Sequence, residues 1–237
     1  MMRHQAPPDG NIYVTGDTHG DKKRFTSRTA AQLREGDVLI VLGDFGFLWN
    51  GGRKEEKTLR WLGRRKYTIL FLDGKHENYD LLEQYPMSEA FGGPVRQISE
   101  NLYHLQRGEI YTVCGKKVFA FGGGDSSEKG FRVEQNHWWP QEMPTEAEMQ
   151  RGLDNLAAAG NCVNLVLTHE APSMAKYLRH LYADNLSTMD TYFDEIAHRT
   201  SYDCWYFGSV HQTRFLAKKT IAVFDRILLA DGKPPER

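Results

Sequence analysis

The sequence predicts an α/β fold, and two observations carry that prediction. Short apolar runs, of the kind that fills a strand buried on both faces, recur at residues 38–42, 67–72 and 162–167, with helical segments between them. The middle of the chain instead alternates short strands with turns, which is typical of an antiparallel meander. We therefore expect mixed β-sheets flanked by helices.

The first half of the chain contains three strand–helix units. Strands are expected at residues 12–15, 38–42 and 67–72, and helices at 21–33, begun by a capping Asp21, and at 53–65. Each strand is followed within two residues by a glycine and then by polar side chains. Open α/β sheets bind ligands at the carboxyl ends of their strands, so these three ends together predict a site.

The second half is predicted to complete the sheets. The residues Gly92-Gly93-Pro94 are expected to break the chain, and strands follow at 102–105, 109–113 and 118–121, with a hairpin turn at 114–117. The glycine-rich loop at 122–127 is expected to be a plain turn, with an anion cradle as the less favoured alternative. Helices are expected at 145–159, 173–182 and 189–199, and strands at 162–167, 203–207, 220–224 and 227–229.

Composition narrows the class of protein. The 237 residues include 40% hydrophobic ones, enough for one sizeable core, so we expect a single domain over residues 1–237 with ragged tails at 1–10 and 231–237. A net charge of −1 gives no electrostatic case for nucleic acid as the default partner. Three widely spaced cysteines favour a reducing compartment, hence a cytoplasmic protein, and no apolar run is long enough to span a membrane.

The turn after the first strand carries the first candidate ligands. Asp17 and His19 lie two apart in an extended segment, so their side chains point the same way. A carboxylate and an imidazole aimed at one point suit a divalent transition metal. A capping aspartate beside a surface histidine would look the same, but the polar residues at the other strand ends favour the metal site.

Five blocks stand in a fixed order at the strand ends: Gly16-Asp17-Thr18-His19, Gly43-Asp44, Gly74-Lys75-His76-Glu77, Thr168-His169 and Gly208-Ser209-Val210-His211. With these blocks the chain resembles the calcineurin-like metallophosphoesterases over nearly its whole length, and in detail their compact bacterial branch. The resemblance implies a four-layer sandwich of two mixed β-sheets flanked by helices. It also implies a hydrolase that cleaves phosphate esters with bound Mn, Fe or Zn.

The resemblance implies two metal positions that share Asp44. The first would be completed by Asp17, His19 and His211, all of which are present. The second would need an asparagine where Lys75 stands and a histidine where Ser209 stands. Because only Asp44 and the weaker candidate His169 remain for it, we expect one ion rather than two.

Lys75 offers a physical reason for the loss of the second ion. A charged ammonium has three donors and no lone pair, so it cannot be a ligand. Pointing inward, it would exclude a second cation, pair with Asp44 and hold a substrate phosphate. Two unit charges about 4 Å apart at an effective dielectric of 20 interact by about 4 kcal/mol, and a divalent ion feels about twice that. If Lys75 instead swings out to solvent, a weakened second site survives.

Three functions are compatible with this motif set. The first is a mononuclear phosphoesterase acting on a small phosphodiester or phosphomonoester, in which His76 matches the family's catalytic histidine and protonates the leaving oxygen while Lys75 neutralises the phosphate. The second is a non-hydrolytic biosynthetic enzyme that uses Lys75 as a base or nucleophile. The third is a non-catalytic member that binds a phosphate ligand or a protein.

A separate interpretation concerns the origin of the two unusual residues. Lys75 and Ser209 would also be found in a two-metal phosphoesterase that was deliberately inactivated by substitution. The sequence leaves the oligomeric state, the metal and the substrate open.

Overall fold

The computed structural model describes residues 9–126, 129–134, 137–178, 187–217 and 219–233. The tails expected at 1–10 and 231–237 lie for the most part outside these ranges. The end of the helix expected at 173–182 also lies outside them.

Two mixed sheets organise the described residues, one with seven strands and one with six. The strands are β1 (Ile12–Thr15), β2 (Val38–Leu42), β3 (Thr68–Leu72), β4 (Met87–Ala90), β5 (Gly93–Ser99), β6 (Leu102–Leu105), β7 (Glu109–Val113), β8 (Lys116–Phe121), β9 (Leu165–Thr168), β10 (Cys204–Phe207), β11 (Arg214–Ala217), β12 (Thr220–Ala222) and β13 (Leu228–Leu229). The first sheet has the order β13-β1-β2-β3-β6-β5-β4 and the second β11-β12-β10-β9-β8-β7. In each sheet the central strands are parallel and the outer ones antiparallel.

Helices accompany both sheets. They are α1 (Lys23–Thr26), α2 (Arg28–Gln32), α3 (Arg53–Gly63), α4 (Tyr79–Leu82), α5 (Lys129–Glu134), α6 (Glu146–Ala158), α7 (Ser173–Leu178) and α8 (Thr188–Arg199), with a single 3-10 turn at Pro140–Glu142. Among the described residues, no helix is both long enough and apolar enough to cross a membrane.

Three clusters of buried apolar side chains lie between the layers and pack them together. The central cluster joins the facing sides of the two sheets, for example Ile40 and Leu70 of the first with Leu167 and Tyr206 of the second. Another packs the outer side of the first sheet against α1 and α3. The third packs the outer side of the second sheet against α6 and α8. The arrangement is the predicted sandwich of two mixed sheets between layers of helix.

The residues Gly92-Gly93-Pro94 do not break the chain, which corrects the sequence prediction. They lie in a hairpin in which Ala90 of β4 pairs with Gly93 of β5. The two turn residues, Phe91 and Gly92, have φ of +56° and +85°. Positive φ at both positions matches the twist of antiparallel strands, so the turn connects the strands. Pro94 is tolerated because it is at the start of β5, where it pairs with Glu89 of β4 and the pairing of β5 with β6 begins only at Val95.

The helix expected at 21–33 is in fact two short helices. Ser27 is extended, with φ −61° and ψ 160°, and its side chain accepts a hydrogen bond from Ala30 N at the start of α2. A serine side chain that binds the backbone competes with helix continuation, and this local bond wins here. The expected cap at Thr145 is confirmed, because Thr145 and Glu148 form a reciprocal capping box at the start of α6.

The three cysteines are free. Cys114 and Cys204 are buried, whereas Cys162 is exposed. Cys114 also forms the turn between β7 and β8 with Gly115, as the expected hairpin requires.

Candidate metal centre

The carboxyl ends of strands from both sheets converge on one group of acids and histidines. Asp17 follows β1, Asp44 follows β2, and His169 follows β9. The Nδ1 atom of His169 lies 3.8 Å from Asp17 Oδ1, and its Nε2 lies 3.6 Å from Asp44 Oδ1. The two sheets therefore bring together residues that are far apart in the sequence.

Asp17, His19 and His211 form one potential metal-binding group. One ligand atom from each lies within 4.8 Å of the others. Asp17 is buried, and its Oδ2 is 3.0 Å from His211 Nε2 and 3.9 Å from His19 Nε2. The two imidazoles approach each other to 3.4 Å between their Nε2 atoms. This carboxylate–imidazole set suits a transition-metal ion.

His19, Asp44 and His76 form a second group that shares His19 with the first. Asp44 Oδ2 lies 2.9 Å from His76 Nδ1 and 3.9 Å from His19 Nε2. The other oxygen of Asp44 accepts hydrogen bonds from the backbone N–H of Lys75 at 2.6 Å and of His76 at 2.8 Å. Asp44 is therefore fixed in orientation by the third motif block.

One buried histidine nitrogen has the environment that a metal ligand needs. His169 Nδ1 lies 2.9 Å from the carbonyl oxygen of Leu42, which accepts its proton and leaves Nε2 with a lone pair. Among the described residues, His169 Nε2 is a buried atom without a hydrogen bond. A buried polar atom without a partner is costly, so this nitrogen fits a bound cation.

Lys75 points inward and forms an ion pair with Glu170. Its Nζ lies 2.7 Å from Glu170 Oε1, and the side chains of Lys75 and Glu170 are 20% and 11% exposed. Lys75 therefore does not extend into solvent, and its ion pair is with Glu170, whereas the sequence analysis placed it against Asp44. Glu170 immediately follows His169, so the pair lies beside a residue that the resemblance assigns to the second metal position.

The glycine-rich loop packs over this ion pair. A Cβ on Gly124 would lie 2.8 Å from Glu170 Oε1 and from Lys75 Cγ. A Cβ on Gly122 would lie 2.3 Å from Asp73 Oδ1. These glycines allow the backbone to approach closely. The described part of the loop, residues 122–126, therefore acts as a cover for Lys75 rather than as a plain surface turn.

The backbone is strained around the candidate ligands. His19, Asp44, Ser209 and His211 have φ of +44°, +46°, +54° and +48°, and they are four of the seven described non-glycine residues with positive φ. Such conformations persist when the surrounding structure enforces them, and they concentrate at functional sites.

The pKa shifts differ between two histidines and one aspartate at the centre. Burial lowers the pKa of His19 despite the nearby Asp44 and Asp17, and this favours the neutral imidazole that binds metal. A hydrogen bond to Asp17 raises the pKa of His211. Burial alone would raise the pKa of Asp44, but His169 and His76 outweigh it and hold that pKa well below its ordinary range.

The charge state of Lys75 follows from its partners. Burial lowers its pKa, but Glu170, followed by Asp44 and Asp17, more than reverses that effect, so the pKa is raised. Lys75 is therefore an ammonium at neutral pH, with donors left after the ion pair.

Glu77 anchors the turn that carries Asp44. Its Oε1 accepts a hydrogen bond from Phe45 N at 2.6 Å, deep in the protein. Burial, together with the nearby Asp44, raises the pKa of Glu77 well above its ordinary value. Glu77 therefore holds the backbone after Asp44 in place and does not line the site.

A buried polar network lies behind the third block. Asp73 accepts hydrogen bonds from Arg107 Nε at 2.8 Å and from Tyr79 Oη at 3.0 Å, and it lies 3.1 Å from His104 Nε2. Arg107 also donates to the carbonyl oxygen of Gln141 at 2.6 Å. The network fixes the end of β3, from which Lys75 and His76 project.

The structure brings the predicted site residues close together, and it adds site residues that the sequence analysis did not identify. Asp17, His19, Asp44, His76 and His211 share the metal groups described above. Ser209 contributes its backbone N–H, which donates to Asp17 Oδ1 at 3.1 Å. Sequence reasoning missed Glu170, and its position directly after His169 was the available signal. It also missed the Asp73–Arg107 pair, for which the sequence holds no signal.

Comparison with known proteins identifies the family of this chain. The model of the calcineurin-like phosphoesterase family matches residues 10–223. No curated protein matches the chain. One solved crystal structure aligns over 90% of this chain and 89% of its own, at 13% identity and a TM-score of 0.42. Since the family model covers most of the sequence, the chain belongs to the calcineurin-like phosphoesterase family, whose members are metal-dependent phosphoesterases.

Proposed function

We propose that this protein is a phosphoesterase that works with one divalent transition-metal ion and uses Lys75 in place of a second. Asp17, His19, Asp44 and His211 would hold the ion, with His169 as a weaker fifth candidate. Such an ion polarises a phosphoryl oxygen and lowers the pKa of a bound water. The remaining chemistry falls to side chains of this chain.

The ion pair between Lys75 and Glu170 is the observation that carries this proposal. The pair holds the ammonium where the charge of Asp44 acts on it, and the resemblance implies a second cation bound by Asp44 and His169. Glu170 takes up one donor of the ammonium, so two donors remain for phosphate oxygens. Lys75 would thus supply positive charge to the substrate without being a metal ligand.

His76 is proposed as the general acid. Its Nδ1 lies 2.9 Å from Asp44 Oδ2, and its side chain is about one-third exposed at the mouth of the site. Asp44 would orient the imidazole through Nδ1 and leave Nε2 to deliver a proton to the leaving oxygen. Proton transfer of this kind contributes about 10²–10⁴-fold in rate.

The substrate proposed is a small phosphorylated molecule, with a phosphodiester favoured over a phosphomonoester. A single divalent ion together with Lys75 would neutralise less charge than two divalent ions do. A diester carries one negative charge fewer than a monoester dianion. The reduced positive charge of this site therefore suits the diester better.

The geometry weighs against two alternatives. A lysine that acts as base or nucleophile needs a depressed pKa, whereas the partners of Lys75 raise it. A lysine substituted to inactivate a two-metal enzyme would not be expected to meet an acid positioned to pair with it. Lys75 Nζ instead lies 2.7 Å from Glu170 Oε1. Both observations favour a native lysine with an electrostatic role.

Hydrolysis assays with matched histidine variants test this proposal. The purified protein is assayed with Mn²⁺, Fe²⁺ or Zn²⁺ on bis-p-nitrophenyl phosphate and on p-nitrophenyl phosphate. We expect metal-dependent hydrolysis, faster on the diester, that falls about 10²–10⁴-fold in His76→Ala. His198→Ala is the control, because His198 is exposed on α8 and bonds a carbonyl of its own helix. A metal-loaded wild type without hydrolysis, or equal rates in both variants, would contradict the proposal.

A further inference from the structure

A second candidate site lies at the opposite end of the first sheet. An open pocket of about 450 Å³ is lined by Lys57, Arg60, Trp61, Arg64 and Arg65. Helix α3 ends just before β3 begins, so the pocket adjoins the amino ends of the parallel strands. The candidate metal centre lies at their carboxyl ends. The pocket is therefore separate from the proposed catalytic chemistry.

The lining of this pocket is uniform in charge. Four of its five side chains are cationic, the fifth is a tryptophan, and no acid lines it. Residues 53–66 hold seven Lys or Arg and two Glu, although the whole chain has a net charge of −1. The chain therefore carries a strongly basic surface although its net charge is close to zero. We call the surface formed by Lys57, Arg60, Trp61, Arg64 and Arg65 the α3 basic strip. Like charges crowded together are unfavourable unless an anion offsets them.

The helix period places these cations on one face. Lys57, Arg60 and Arg64 are spaced three and four residues apart, which aligns them along α3. All three are exposed. Glu56 pairs with Arg60 across 3.7 Å, but both side chains are about half exposed, so this bond is weak and easily exchanged.

Trp61 and Arg65 form the more buried part of the pocket. The Arg65 guanidinium stacks 3.7 Å from the centre of the Trp61 ring, and both side chains are half-buried. Among the described residues, Arg65 Nε is a buried donor without a hydrogen-bond acceptor. A buried donor without a partner is costly, so Arg65 has an unfilled preference for an acceptor. Lys22 approaches the same ring to 5.8 Å.

We propose that the α3 basic strip binds single-stranded nucleic acid. Backbone phosphates would pair with Lys57, Arg60 and Arg64, and a base would stack at the Trp61–Arg65 pair. The strip follows a helix about 16 Å long, which suits several phosphates in a row better than one small anion. Trp61 is half-buried and flanked by cations, which suits a base better than insertion into lipid.

Fluorescence anisotropy with a labelled oligonucleotide tests the proposal. The probe is a single strand of about 12 nucleotides, titrated with the full chain at several salt concentrations. Wild type should bind with a salt dependence of about 0.7 logarithmic units per phosphate contact. The double variant Arg60→Gln/Arg64→Gln should raise Kd at least tenfold and lower that slope by about 1.4. Trp61→Leu should raise Kd about tenfold.

Arg199→Gln is the matched control, because it removes one exposed cation from α8, away from the strip. It should bind as wild type does, and circular dichroism should show that every variant is folded. Equal binding by wild type and the double variant would overturn the proposal. So would competition by a mononucleotide as strong as by the strand. Binding to phosphatidylserine vesicles without binding to the strand would equally overturn it, in favour of a membrane surface.

Discussion

Single residues at the third motif block decide the geometry of the site. Because Gly74 has no side chain, its backbone packs directly on Asp44. The backbone N–H groups of Lys75 and His76 can then both donate to one oxygen of the Asp44 carboxylate. A Cβ on Gly74 would lie 2.1 Å from Asp44 Oδ1 and 2.2 Å from Asp44 N. Since one of these atoms belongs to the backbone, a side chain at position 74 cannot be accommodated by a change of rotamer.

Gly74→Ala should therefore displace Asp44 and weaken metal binding. We expect the affinity for Mn²⁺, measured by titration calorimetry, to fall at least tenfold and the melting temperature to decrease. Gly130→Ala is the control, because no atom lies within 4 Å of its added Cβ and it sits in α5. That variant should be neutral or stabilised by about 0.5–1 kcal/mol. Unchanged Mn²⁺ affinity in Gly74→Ala would show that Asp44 is not a ligand.

The residue scale also shows what the sequence could not reveal. Asp17, Asp44 and the histidines were predictable, because residues at strand ends share one edge of a sheet. The partner of Lys75 was harder to predict, because the contact with Glu170 joins the two sheets and its one sequence signal is the position of Glu170 directly after His169. Where a charged residue replaces the neutral residue of a family motif, as Lys75 does here, a nearby residue of opposite charge should be sought.

Elements were predictable where one local signal dominated. Continuous apolar runs identified the buried strands, and the capping-box spacing identified the start of α6. Predictions were wrong where two local signals competed. Ser27 divides a helical stretch, and Phe91 and Gly92 turn a hairpin although the glycines around Pro94 indicated a break. These outcomes depend on side-chain hydrogen bonds and turn conformations that residue type alone does not determine.

The capping box of α6 gives a prediction at this scale. Thr145→Ala removes the acceptor for Glu148 N, so the free energy of unfolding in urea should fall by about 1 kcal/mol. Thr145→Ser keeps the hydroxyl and should recover most of that loss. The rate of phosphodiester hydrolysis should not change, since α6 packs on the outer side of the second sheet. A loss equal in both variants would assign the effect to packing of the threonine methyl group.

At the scale of the molecule, the Asp73 network connects separate parts of the chain. Arg107 links the end of β3 to the segment before α6 through Asp73 and the Gln141 carbonyl. Burial alone would raise the pKa of Asp73, but Arg107 and His104 outweigh it and hold that pKa well below its ordinary range. The depressed pKa means that Asp73 stabilises the fold above pH 4 and loses that effect as the pH falls further.

In Asp73→Asn, the free energy of unfolding should therefore depend less on pH below about pH 4 than it does in wild type. Urea unfolding at pH 7 should show a loss on the order of 2 kcal/mol relative to wild type. The difference should shrink as the pH is lowered from about 4, the ordinary pKa of an aspartate, because wild type then loses the same contribution. Parallel profiles for the two proteins would contradict this account. Asp80→Asn, on the surface of α4, is the control and should leave the shape of the profile unchanged.

The two metal groups and the inward lysine lead to one central claim, that a single ion is bound where the family binds two. The most direct test is the metal content per chain after dialysis against excess Mn²⁺ and removal of free metal, measured by elemental analysis for wild type and Lys75→Asn. We predict one ion in wild type and up to two in Lys75→Asn, because Glu170, His169 and Asp44 would then face a second cation without the ammonium. Two ions in wild type would contradict the claim and return the protein to the two-metal phosphoesterases.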